Sequence, residues 1–188
     1  MVNFKNVHAF LFILLAGFFS YSLYGEPSIG MDKDLFVFAS SSSSSSNNSM
    51  NEFFANANVN DSEYLKGYVT IDNYKILVDI AITDKQVQDG LAIKNTLNEN
   101  EGMLFFLGEP SKASFWMKDM KFPIDIIWLN ETFSIVHIEQ ELQPCKSVFD
   151  CKSYTPNSEA LYVLETIDGF AKKHDLKIGD NIKFQIIQ

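Results

Sequence analysis

Three charged side chains stand where apolar strand is expected. Lys118 ends the segment Phe115-Trp-Met-Lys118, Asp125 interrupts the run Ile124-Asp-Ile-Ile-Trp-Leu129, and Glu165 ends Tyr162-Val-Leu-Glu165. A carboxylate inside such a run is costly unless it is paired or hydrogen-bonded. We therefore expect Lys118, Asp125 and Glu165 to lie close together on adjoining strands near Trp116. Three kinds of chemistry fit that set. In a recognition pocket, Trp116 and Met117 are walls and the three charges are polar anchors. In a catalytic pair, Asp125 and Glu165 divide acid and base work, as in glycoside hydrolysis. In a structural pairing, the charges hold strand register and Trp116 belongs to the core.

Other residue types support less. Cys145 and Cys151 are the only two cysteines. An even pair in an exported chain reads as a disulfide, and closing so small a ring contributes roughly 2 kcal/mol. There is no Cys-x-x-Cys, and a thiolate nucleophile would want one of only two histidines beyond the N-terminus, His137 and His174. His137, Glu139 and Glu141 share one side of a strand, but a lone histidine beside surface acids reads as a solvated edge, and His174 suits a helix end. No metal and no cofactor is expected. No glycine-rich phosphate loop, nucleophile elbow or His-Glu-x-x-His is present. The formal net charge is −9 and every basic residue is lysine, so a nucleic-acid partner is not expected and the bidentate arginine fork is missing.

The elements that must position these residues begin after a long approach. Lys5 precedes the uninterrupted apolar run Ala9–Phe19, which fits a signal peptide and is shorter than the about 20 residues that span a bilayer. Small residues Ser20, Ser22 and Gly25 follow, and cleavage is expected near Gly25–Glu26. Residues 1–25 are thus read as an export signal, the only expected contact with a membrane. Residues 26–62 are read as a disordered linker, because Ser40–Ser46 and the asparagines after it have little apolar surface to offset the entropy of ordering. Residues 63–188 form the folded domain, periplasmic or secreted.

Within that domain, Leu65, Gly67, Val69 and Ile71 alternate with polar neighbours, as do Ile76, Val78, Ile80 and Ile82, with Asp72-Asn73 as a hairpin turn between them. Thr83 and Gln86 have capping-box spacing at the start of a short helix. Strands are expected over Met103–Leu107, Ser114–Met117, Ile124–Leu129, Phe133–Ile138 and Ala160–Leu164, the last of them central. Thr166 caps a second short helix, and Ile182, Phe184 and Ile186 face inward on a final strand. Many short strands with frequent turns favour a mainly β (α+β) domain, a compact antiparallel β sandwich or closed barrel with one or two short helices.

Gly90-Leu91, Gly102-Met-Leu-Phe105, Phe115-Trp-Met-Lys118, Pro123-Ile-Asp-Ile-Ile127, Tyr162-Val-Leu-Glu165 and Gly179-Asp180 stand in the order and spacing of the domain of unknown function 192 family, which the stretch from about Ile82 to Asn181 resembles. The resemblance implies a compact, mainly β domain with a short helix, often exported, and it implies no reaction. This chain departs after Gly90-Leu91: Ala92, Ile93 and Lys94 replace the common Met, any residue, Arg, and Asp89 stands where Arg is frequent. The sequence as a whole reads as an exported, non-catalytic domain that binds a small molecule, glycan or peptide. Its rivals are a hydrolase using the paired carboxylates and a secreted protein–protein adaptor.

Overall fold

Alternation makes the first hairpin. In β1 (Leu65–Ile71) Gly67, Val69 and Ile71 are buried, and in β2 (Tyr74–Ala81) Ile76, Val78 and Ile80 are buried on the same face. The strands pair antiparallel from Leu65↔Ile80 to Ile71↔Tyr74, so the two-residue turn Asp72-Asn73 closes them as expected. These elements come from a computed structural model that describes residue 50 and residues 52–187. The expected export signal and the serine run lie outside the described residues.

Seven further strands follow, nine in all among the described residues. They are β3 (Glu101–Ser111), β4 (Phe115–Trp116), β5 (Ile124–Leu129), β6 (Ile135–Leu142), β7 (Ser153–Tyr154), β8 (Ala160–Ile167) and β9 (Lys183–Ile187) after the first hairpin. Seven form one sheet in the order β6-β5-β8-β3-β2-β1-β9, while β4 and β7 make a separate two-stranded ribbon. β8 is flanked on both sides and buried along almost its whole length, the central place its composition suggested.

Two expectations about the sheet are corrected. It is mixed rather than antiparallel, because β2 and β3 run parallel. The helix α2 (Asp84–Asp89) and the 3-10 turn Gly90–Ile93 carry the chain back along the sheet before β3 begins, which is the connection parallel neighbours require. The sheet is also open, not a closed barrel. Its two edges touch once, through an antiparallel bridge between Ser134 and Asn181, supported by Ile135 N–H to Asp180 O at 2.8 Å and Ile182 N–H to Phe133 O at 2.9 Å. That bridge lies ahead of both β6 and β9. Antiparallel strands that meet only at their starts run away from each other, so no ladder continues and the barrel does not close.

Each face of the sheet carries its own core. One contains Val69, Val78, Leu104, Ile127, Leu129, Tyr162, Leu164 and Phe184, and it is covered by Phe170 and Ala171 of α3 (Phe170–Lys173). A further short helix, α1, formed by residue 50 and residues 52–56, packs on this same core through Met50 and Phe54. Packed chain therefore begins before Glu63. The other core contains Leu91, Met103, Phe105, Met117, Ile126, Trp128 and Val163. Thr166 does not cap α3: it still belongs to β8, and Gly169, with φ 76°, precedes the helix instead.

Candidate functional site

The helix α2 begins with the capping box read from the sequence. Gln86 N–H donates to Thr83 Oγ1 at 3.2 Å, and Gln86 Oε1 accepts from the N–H groups of Thr83 and Ile82. Gln86 is fully buried, and its amide nitrogen donates to the carbonyls of Asn60 and Glu63. Every polar atom of that side chain is thus used: Oε1 caps the start of α2, and Nε2 fastens α2 to the chain leading into β1. The helix ends at Gly90, whose φ of 50° and ψ of −151° are open essentially to glycine alone. The 3-10 turn that follows buries Leu91 and leaves Ile93 49% exposed. Lys94, directly after it, sits 2.7 Å from Asp79 on β2, which also pairs with Lys66. Burial by itself would raise the Asp79 carboxyl, but hydrogen bonds from Lys66 and Lys94 hold it below its usual range.

Opposite this turn, strand parity sorts Phe115, Trp116 and Met117. Phe115 packs edge-on against Phe105 and Trp128, and Met117 is 1% exposed in the same core. Trp116 points the other way and is 49% exposed. Lys118 Nζ lies 5.2 Å from its ring centroid and 3.8 Å from Asp119. Trp116, Lys118 and Asp119 form one wall of a groove of about 450 Å³, and Lys85, Gln88, Asp89, Ala92 and Ile93 form the other. Lys85 and Asp89 are ion-paired one helical turn apart. The groove presents an indole, an aliphatic side chain, an amide, two ammonium groups and two carboxylates.

The expected cluster of Lys118, Asp125 and Glu165 does not form. Asp125 stands opposite Thr166, and Ile126 opposite Glu165. Directly opposed residues share a face, so Asp125 and Glu165 point to opposite faces of the sheet. Asp125, completely buried on the side of Ile127 and Leu129, accepts from the backbone N–H groups of Glu141 at 2.8 Å, Gly169 at 3.2 Å and Ala171 at 2.8 Å. It ties the start of α3 to the end of β6. Glu165 lies on the side of Met103 and Val163, 5% exposed, beneath the 3-10 turn. Burial pushes its carboxyl up to about 8, against a hydrogen bond from the Leu91 N–H that favours ionisation, and Oε2 has no hydrogen-bond partner. Among the described residues no ion pair joins Lys118 to either carboxylate; its partner is Asp119. The acid–base pair is therefore ruled out by geometry, since the two carboxyls share no cleft.

Of the residues singled out in the sequence, Trp116 and Lys118 line the groove. Met117 does not; it reaches a second cleft of about 410 Å³ beside Cys145 and Tyr154. Cys145 and Cys151 are joined in a disulfide, with Cα atoms 5.1 Å apart. The core tryptophan is Trp128, whose Nε1–H donates to Ala113 O at 3.3 Å. Sequence reasoning missed Lys85, Gln88 and Asp119 as groove residues. The usable signal was parity in Phe115-Trp-Met117, which sends the middle residue away from its neighbours.

The profile of the domain of unknown function 192 family, described as "Uncharacterized ACR", matches residues 67–184. Two solved structures are similar. One is a candidate transcription regulator from Sinorhizobium meliloti, 26% identical over 64% of this chain and 94% of that chain, with a TM-score of 0.58. The other is a protein of unknown function from Novosphingobium aromaticivorans, 26% identical over 63% of this chain and 84% of that one, with a TM-score of 0.55. No curated protein matches the chain.

Proposed function

The chain belongs to the domain of unknown function 192 family, and from that premise we propose that it is an extracytoplasmic binding domain whose ligand site is the groove between α2 and Trp116. The single observation that carries this reading is that the half-exposed indole of Trp116 and the half-exposed Ile93 line one cleft together with Lys85, Gln88, Asp89 and Lys118. Large aromatic surface left in water at a concave, polar-rimmed place is what ligand sites share and what a folded core avoids. The volume falls in the range of small-molecule sites. Export through residues 1–25, with the serine-rich stretch as a spacer before the domain, accompanies this reading. It is supported by the Cys145–Cys151 disulfide, since such bonds persist in oxidising compartments.

Thermal-shift screening of the full chain against a mixed library of sugars, peptides and small metabolites tests the reading. A ligand bound only by the folded state raises the unfolding midpoint by mass action. The expected result is a concentration-dependent rise that Trp116→Ala abolishes, while the variant's own midpoint stays close to that of the parent because the ring is half exposed. A rise that Trp116→Ala leaves unchanged places the ligand elsewhere and ends the proposal.

A further inference from the structure

Resting on the groove reading above, we infer that the ligand is an uncharged saccharide that stacks a pyranose ring on Trp116 and is held at its rim by Gln88, Asp89 and Asp119. The argument begins with charge. Lys85 has Asp89 as its ion-pair partner and Lys118 has Asp119. Two cations and two anions in one groove leave it locally neutral, and each cation already has an anion at hand. A phosphate or carboxylate ligand would have to break one of these pairs to be bound. The bidentate fork that usually grips such anions is absent, because the chain contains no arginine.

Shape and polarity narrow the class further. A peptide captured through its backbone needs a free strand edge of several residues; the edges of the seven-stranded sheet, β6 and β9, do not line the groove, and the strand that does, β4 of the ribbon, is only the two residues Phe115–Trp116. What the groove presents is an aromatic face flanked by an aliphatic side chain, with an amide, carboxylates and ammonium groups around it. A pyranose matches this arrangement. One face of its ring carries C–H bonds whose partial positive charge suits the negative face of an indole, and its edge carries hydroxyls that both donate and accept. Carboxylates accept from neighbouring hydroxyls, Gln88 can do both, and an ammonium donates. Lys118 makes a cation–π contact with the Trp116 ring, 5.2 Å from its centroid, while the indole stays half exposed.

The two tryptophans make the test direct. Trp128 is fully buried and Trp116 is half exposed, so acrylamide quenching of the full chain reports on Trp116. We would titrate cellotetraose, chitotetraose and maltotetraose, each at millimolar concentration, beside a mixed tripeptide pool and sodium citrate. At least one neutral oligosaccharide should reduce the quenching constant about two-fold or more, with an affinity that stays constant between low and high salt, since a neutral ligand has no charge to screen. By calorimetry Trp116→Ala should weaken that saccharide at least ten-fold, whereas Trp116→Phe, which keeps a stacking face, should stay within a few-fold. If the tripeptides or citrate protect Trp116 and the saccharides do not, the saccharide inference is overturned and the groove stands. If no probe in either set protects Trp116, the inference is overturned and the groove reading falls with it.

Discussion

Asp125 and Glu165 are both buried carboxyl groups, yet their surroundings ask opposite things of them. Asp125 satisfies three backbone N–H groups from two separate segments. Replacing it with alanine leaves those donors buried and unmatched, and Asp125→Ala should cost about 3 kcal/mol or more in denaturant unfolding at neutral pH. Glu165 receives one N–H and sits in an apolar setting that pushes its carboxyl from the ordinary 4.5 up to about 8. Below pH 4.5 it is neutral in both the folded and the unfolded chain. Between pH 4.5 and 8 the unfolded chain releases the proton while the folded chain keeps it, so stability falls across that window and levels off above it. Glu165→Gln, neutral at every pH, should match the parent near pH 4.5 and exceed it by roughly 4 kcal/mol at pH 8.5. A constant difference across that range would show that Glu165 is not held neutral by the fold.

Short elements here owe their form to what they pack on. The helix α1 is too brief to persist in water unaided. Phe54 holds it in place, its ring centroid 5.1 Å from that of Phe106, 6.2 Å from Phe184 and 6.4 Å from Tyr162. Phe54→Ala should therefore cost about 3 kcal/mol, the range for truncating a buried aromatic, and amide exchange should rise through residues 52–56 before the sheet is affected. Equal protection of α1 in the variant would mean that the helix stands on other contacts. The 3-10 turn Gly90–Ile93 is similarly dependent. Gly90 permits the bend, Leu91 anchors it in the core, and Lys94 pins its far end to Asp79. Lysine at that place supplies the ion pair as a point charge, without the bidentate geometry an arginine would bring.

At the scale of the whole molecule, a single curled sheet with a core on each face explains both the stability and the site. The Cys145–Cys151 bridge closes only a small loop beside the ribbon of β4 and β7, so reducing it should lower stability by roughly 2 kcal/mol and leave a cooperative unfolding transition. Loss of that cooperativity on reduction would mean that the loop organises the ribbon and, with it, Trp116. Much of this architecture was legible in the residues. The β1–β2 hairpin, the Thr83–Gln86 capping box, the inward Phe184 and Ile186, and the disulfide all rest on contacts or periodicities within a short span. The central carboxylates were not legible in the same way. β5 is buried at every position and β8 at nearly every one. A strand enclosed on both faces loses its period-two pattern, so nothing in Ile124–Leu129 or Ala160–Ile167 says which way Asp125 or Glu165 points. The sequence by itself determined the family, the mainly β composition and the local turns, because these follow from neighbouring residues. Tertiary structure alone decided that Asp125 and Glu165 part to opposite faces, that the sheet stays open, and that Trp116 and Ile93 line one groove. Those outcomes depend on register between strands far apart in the chain, and no local pattern encodes that register.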